Sequence, residues 1–239
     1  MQLSLVIPTY NEKDNIPLLL AELADTLVRY PDVDVEFIIV DDNSPDGSGR
    51  VADSLTAQYP LQVIHRAGKL GLGGAVMAGF QKSSRAYLGV MDADLSHDPS
   101  VLGAMFEALK GADIVVGSRF CEESRVEGRW PILRKLTSFT GVRLAQRITK
   151  ISDPLSGYFL IRRDVIEGLT LTSVGYKILF EILAKGTYAS VAEVPFVFRE
   201  RRFSGSKLNA QEYLLFAKQL LHFTLLRRRS RLAARSKAT

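Results

Sequence analysis

Residues 86–99, "AYLGVMDADLSHDP", run from a compact apolar segment straight into three acids and a proline. A short apolar run bounded by turn formers is the pattern of a strand covered on both faces. Asp92 and Asp94 stand one residue apart where that strand ends. Their meaning depends on the sheet to which the strand belongs, and the segments on either side decide that.

The same pattern opens the chain. "LSLVIP" at 3–8 is a continuous apolar run closed by proline, and "VEFIIV" at 35–40 is a second. Between them Ile16, Leu19, Leu20, Leu23 and Leu27 fall on one helical face, with Asn15 as the expected N-cap and Pro17 in the first turn. "DDNSPDGS" follows at 41–48, dense in turn formers. Then come a helix near 47–58, a strand at 62–65, a Gly-rich turn, a helix near 73–83, the strand quoted above, a helix near 99–109 and the strand "DIVVG" at 113–117. This alternation predicts an α/β fold with a mainly parallel sheet flanked by helices, in which ligands bind outside the carboxyl ends of the strands. Four polar clusters sit at such ends: Pro8-Thr9-Tyr10-Asn11-Glu12, Asp41-Asp42-Asn43, Asp92-Ala93-Asp94 and Gly117-Ser118-Arg119. One cleft could collect all four.

Beyond residue 120 lie a basic stretch with Trp130, a helix near 132–148, "DPLSGYFLIRR", a helix near 176–185 and the strand-like "SVAEVPFVF". Without linker composition or repeats, this half is expected to complete one domain over residues 1–210. A separate C-terminal segment, 211–239, follows.

The chain's 239 residues, 46% of them hydrophobic, are enough for a sizeable core. The single cysteine, Cys121, excludes an internal disulfide framework. Together with an opening that lacks a signal-peptide pattern, it points to the cytoplasm. Three scattered histidines do not make the spaced ligand set of a zinc site. The net charge is +5, but six cations and no acid lie between Arg227 and Thr239, which leaves −1 for everything before them. A nearly neutral body argues against a nucleic-acid partner and gives the tail its own role. "YLLFAKQLLHFTLL", 213–226, has fourteen residues, short of the ~20 that span a bilayer. With the basic run after it, it reads as an amphipathic interfacial helix and a polybasic tail, peripheral on the cytoplasmic face of a membrane. The other reading is an ordinary core helix followed by a disordered basic tail.

An isolated Asp-x-Asp is often a pair of solvated turn carboxylates. At the end of a buried strand, two hard oxygen donors with positions left open suit Mg²⁺ or Mn²⁺ shared with a phosphate. The other strand ends supply what else a nucleotide needs: Asp42 to accept from ribose hydroxyls or a base edge, Tyr10 to pack on the base, Glu12 to accept hydrogen bonds. "KLGLGGA" at 69–75 lacks the dinucleotide-binding spacing and reads mainly as a close-packed turn.

Eight ordered blocks resemble the inverting GT-A glycosyltransferases of family two, and within them the dolichyl (polyprenyl) phosphate mannose synthases. They are "VIPTYNEKDNI", "IIVDDNSPDGS", "KLGLGGAVMAGF", "VMDADLSHDP", "VVGSRF", "SDPLSGYFLIRR", "GYKILFEIL" and "RERRFSGSK". The resemblance implies a Rossmann-like GT-A fold and transfer of mannose from GDP-mannose to a polyprenyl phosphate. It places Pro8, Tyr10, Glu12, Val40 and Asp42 on the nucleotide and Asp92-Ala93-Asp94 at the divalent metal. Ser96 stands where relatives often carry Gln, so it is expected to act through water. Arg119, Lys177 and Arg201 are implied to face the diphosphate or the acceptor phosphate, with Ser206 and Lys207 closing that block. The block departs from the usual Arg-x-x-Gly-x-Ser-Lys because its glycine, Gly205, is displaced by one. Arg134, Lys135 and Ser138, on a second amphipathic candidate, are read as meeting the acceptor phosphate. Asp153 occupies the place of a base in relatives with hydroxyl acceptors and is assigned to sugar positioning, with a base role second. UDP-glucose or another UDP-sugar is the alternative donor, and a non-catalytic membrane or nucleic-acid binding module the alternative class. Whether a separate membrane subunit is needed stays open.

Overall fold

The computed structural model describes residues 1–127, 132–172, 177–199 and 215–224, with 132–139 described as backbone. The alternation becomes β1 (Gln2–Thr9), α1 (Ile16–Leu27), β2 (Asp34–Asp41), α2 (Ser48–Leu55), β3 (Leu61–His65), α3 (Leu72–Lys82), β4 (Tyr87–Val90), α4 (Leu102–Leu109) and β5 (Ile114–Ser118). After it come β6 (Arg125–Val126), α5 (Ile132–Thr149), β7 (Phe159–Arg162), α6 (Ile178–Lys185), β8 (Val191–Pro195) and β9 (Val197–Phe198), then a helical stretch at 215–224.

The main sheet has the order β3-β2-β1-β4-β7-β5-β8. β1 pairs in parallel with β2 on one side and β4 on the other. Successive units are therefore wound in opposite directions from β1, and a crevice opens between the ends of β1 and β4. β7 is antiparallel to both β4 and β5, so β4 and β5 are not neighbours. The chain pattern alone does not give this insertion, because a buried four-residue strand reads the same in either direction.

Strand alternation divides the core between the two faces. Leu3, Leu5 and Ile7 pack with Leu19, Leu20, Leu23 and Phe106 on one face. Val6, Ile38, Val40 and Val90 pack with Val76, Phe80 and Ile182 on the other. Each such side chain, fully buried, stabilises the fold by about 1.5–3 kcal/mol. α3 lies so close to β1 that a Cβ on Gly79 would come within 2.5 Å of a Val6 methyl.

Asn15 holds the expected N-cap position of α1, but its side chain makes no capping hydrogen bond. Its backbone is already helical, and its side-chain amide donates to Glu12 Oε2 at 2.6 Å. The Glu12 carbonyl accepts from the Asn15 and Ile16 amides instead.

A third cluster joins Val142, Ala145, Leu155 and Phe180 to Phe223, with Phe216 and Leu220 packed against it. The helix at 215–224 thus lays one side on α5 and α6, while Lys218, Leu221 and His222 remain exposed. Among the described residues, no helix is long and apolar enough to cross a membrane.

Candidate active site

β4 delivers the acidic loop to the crevice. The Met91 amide still bonds the Val6 carbonyl at 3.1 Å, and the chain then turns through Leu95 at φ 61°. Asp94 is buried, and its Oδ1 accepts from the Ser96 amide at 3.1 Å and the Ser96 hydroxyl at 2.5 Å. Ser96 thus braces a candidate metal ligand directly, whereas the sequence suggested action through water. Its carbonyl accepts from the Arg199 amide at 3.0 Å. Ala93 is buried between the two acids.

Asp92 keeps 26% of its side chain exposed. Its amide donates to His97 Nδ1 at 3.1 Å. A Cβ on Gly157 would lie 3.2 Å from both Asp92 carboxylate oxygens, so glycine leaves that flank uncovered. Among the described residues, no third His, Cys, Asp or Glu joins the pair to complete a metal cage. Two hard carboxylates with an open flank fit a divalent cation that also takes phosphate oxygens.

The ends of β1 and β2 form the neighbouring wall. Pro8 and Val40 are partners across the two strands. The Lys69 ammonium lies 4.3 Å from the centroid of the Tyr10 ring, a cation–π contact. Glu12 is buried, and its amide donates to the Ser48 hydroxyl at 2.8 Å. Asp42 is engaged from two sides. Arg66 Nη1 meets its Oδ1 at 2.5 Å, and the Leu70 and Gly71 amides both meet Oδ2 at 3.1 Å. Gly71, at φ 89°, permits this turn. Burial pushes the Asp42 carboxyl above its ordinary value even though Arg66 and the amides pull it down. The start of the Gly-rich turn, Leu70 and Gly71, therefore closes over an acid.

At the end of β5, Arg119 faces Asp153. Nε donates to Oδ2 at 2.7 Å, Nη2 to Oδ1 at 2.9 Å and the backbone amide to Oδ2 at 3.1 Å. Burial acts to raise the Asp153 carboxyl, but the guanidinium, its hydrogen bonds and Lys177 hold it below the usual range. Glu193 of β8 steadies the turn, accepting from the Ser152 and Asp153 amides at 2.7 and 3.0 Å. Asp153, read as a sugar-positioning group or base, has no exposed surface and its carboxylate is engaged by Arg119. Arg119 also feels the Asp92 charge, and Lys177 Nζ donates to the Leu155 carbonyl at 3.4 Å.

Arg201, Ser206 and Lys207 lie outside the described residues, as do the side chains of Arg134, Lys135 and Ser138 on the first turns of α5. Arg66, His97, Glu193 and Arg199 were not singled out from the sequence. Arg66 follows β3 directly, so the strand-end rule that found the other clusters could have found it. The other three act across the fold.

The sheet order, the crevice and the acid pair define a GT-A arrangement. A mannosyltransferase from Pyrobaculum calidifontis, solved in complex with GDP-Man and Mn²⁺, shares this fold with a TM-score of 0.64 at 18% identity, over 92% of this chain and 64% of that one. Residues 4–170 match the profile of Glycosyl transferase family 2, and the chain belongs to that family. It is 42% identical over 222 residues to a dolichol-phosphate mannosyltransferase of Pyrococcus furiosus, covering 90% of this chain and 62% of that protein's length. It is 34% identical over 229 residues to a dolichol-phosphate mannosyltransferase of Saccharomyces cerevisiae, covering 92% of this chain and 86% of the yeast protein.

Proposed function

We propose that the chain is an inverting glycosyltransferase that moves mannose from GDP-mannose to a polyprenyl monophosphate. The observation that carries this reading is the acidic loop: Asp92 and Asp94 at the crevice between β1 and β4, with an open flank and with Arg119 within electrostatic reach. The family and its relatives supply the donor and acceptor classes.

Asp92 and Asp94 would hold the divalent cation, Mg²⁺ or Mn²⁺, with Ser96 bracing Asp94. When bound, such an ion stabilises charge on the leaving diphosphate. Pro8, Tyr10, Glu12, Val40 and Asp42 line the nucleotide's place, and a base or ribose that uses Asp42 must compete with Arg66 and the 70–71 amides. Arg119 and Lys177 provide positive charge for the diphosphate. Asp153 keeps Arg119 oriented through the paired hydrogen bonds to its guanidinium.

The acceptor needs no strong base. A phosphate monoester loses its second proton near pH ~6, so its oxygen is anionic at neutral pH. That oxygen attacks C1 of the sugar, the C1–O bond to the nucleoside diphosphate breaks, and single in-line displacement turns an α-linked donor into a β-linked product. The protein aligns the two anions and excludes water. Arg134, Ser138 and Arg201 are the candidates for the acceptor phosphate, and Lys207 is a candidate for the nucleotide.

The donor test is transfer of radiolabelled sugar to a short polyprenyl phosphate. GDP-mannose is expected to give lipid-linked product, and robust transfer from UDP-glucose without transfer from GDP-mannose overturns the donor assignment. The proposed place of action is the cytoplasmic face of a membrane, with the tail as tether. Each cation near an anionic surface contributes about 1 kcal/mol. Deleting residues 227–239 should weaken binding to anionic vesicles, most at low salt, and leave GDP-mannose affinity unchanged. Equal loss with a detergent-soluble acceptor would place the tail in the active site instead.

A further inference from the structure

We infer that His97 is a positioning residue for Asp92: it holds the first acid of the loop in place by accepting a hydrogen bond from that acid's own amide. The inference rests on the proposed metal site and assigns a part of it that the acid pair alone does not explain. The two carboxylates have separate fasteners. Asp94 is held by its side chain, through the Ser96 amide and hydroxyl. Asp92 is held first by its backbone, through His97 Nδ1 at 3.1 Å, while Nε2 of the same ring lies 3.9 Å from its Oδ2. This leaves the Asp92 carboxylate at the crevice and fixes the point from which it swings.

The imidazole is well seated for the task. It is 2% exposed, stacked on the Tyr158 ring with centroids 5.0 Å apart and planes 17° from parallel, and met edge-on by Phe196 and Phe198 at 5.5 and 6.0 Å. Tyr158 is itself anchored, its hydroxyl donating to the Asp98 carbonyl at 3.2 Å. An aromatic box that needed only apolar filling would take phenylalanine at 97. What histidine adds is an acceptor on the edge of a flat ring, aimed at an amide five residues back. Because Nδ1 accepts, the ring proton belongs on Nε2. Supports of this kind behind metal ligands typically account for 10–100-fold in metal affinity or activity.

Two substitutions separate the acceptor from the ring. His97→Phe keeps a flat ring in the box and removes the acceptor. His97→Asn removes the ring but can place a carbonyl oxygen near the Nδ1 position. The measurement is Mn²⁺ affinity in the presence of GDP, followed by electron paramagnetic resonance on the full-length protein, with melting temperature measured in parallel. His97→Phe should bind Mn²⁺ about tenfold more weakly, with metal-free GDP affinity unchanged, and His97→Asn should recover most of the loss despite a lower melting temperature. Unchanged Mn²⁺ affinity in His97→Phe overturns the inference. So does weakening in both variants that follows their melting temperatures. If neither variant folds, the tautomer decides on the unmodified protein: a ¹⁵N-imidazole spectrum with the proton on Nε2 is expected, and a proton on Nδ1 overturns the assignment. Failure of the unmodified protein to bind Mn²⁺ would instead strike the metal site, which keeps the two failures apart.

Discussion

Asp92 and Asp153 both act on Arg119, but the protein builds them in opposite ways. Asp153 has no exposed surface, and both of its carboxylate oxygens receive hydrogen bonds from Arg119, thirty-four residues away in sequence. Asp92 has its amide held by His97 five residues on, its carboxylate is partly exposed, and Gly157 stands opposite. A buried acid with a full set of partners orders the structure around it. An acid fixed through its backbone, with its oxygens at a cleft, is arranged to meet a ligand. A conspicuous carboxylate in a crevice is therefore judged better by what its oxygens already touch than by its position.

The contrast is broken or sharpened by three substitutions. Asp94→Asn should have the largest effect. The amide keeps the shape and an acceptor for Ser96 but loses the charge. Metal-assisted charge stabilisation amounts to several kcal/mol, so transfer should fall about 10³-fold or more, while the melting temperature stays close to that of the parent. Single-turnover transfer and thermal melting measure the two, and near-normal turnover would show the acid pair to be a pair of turn carboxylates and nothing more.

Asp153→Asn should reverse the pattern and act first on stability. Removing one member of a buried ion pair costs about 3–5 kcal/mol, because the other charge is left behind without its counterion. The Asp153 carboxyl is held below its ordinary value in the fold. Its contribution is therefore complete above the unfolded carboxyl value, near pH ~3.9, and is lost as pH falls through the folded value. Urea unfolding should show a gap between parent and variant that is constant across neutral pH and narrows only in that acid window. A gap that closes between pH 6 and 7 would assign the effect to another group.

Ser96→Ala should be the smallest. It removes one hydroxyl from Asp94 but leaves the Ser96 amide in place. A hydrogen bond to a charged group contributes about 1.5–3 kcal/mol, so a loss of at most about 10- to 150-fold in Mn²⁺ affinity is expected, toward the low end because the amide bond remains. A loss as large as that of Asp94→Asn would mean that the serine oxygen is itself a metal ligand.

The five parallel units and the polar clusters at their ends were legible because both come from local pattern: buried runs, helical spacing and turn formers. The acid pair was legible for the same reason. The insertion of β7 was not, since Phe159–Arg162 finds its partners through long-range pairing that leaves no periodic trace. Asp153 was noticed, but its engagement by Arg119 depends on a contact between distant segments. His97 was hidden within the quoted stretch, because the aromatic box that gives it purpose is assembled from the residue before β7, the residue before β9 and β9 itself. At Asn15 local pattern gave the N-cap position but not the bond, since its side chain turns back to Glu12.

The position of β7 has a consequence for a chain emerging from the ribosome. β4 and β5 are both made before the strand that must lie between them. At 5–20 residues per second, the interval from Val90 to Phe159 lasts roughly 3 to 14 s. During that time the β1–β4 layer can assemble, yet the outer side of β4 has no native neighbour. It is a short, apolar strand edge of the kind that invites pairing with another chain. Vectorial synthesis thus passes through a half-sheet whose vulnerable margin is the very strand that later carries the acidic loop, and the last step that protects this margin is the arrival of a strand running in the opposite direction.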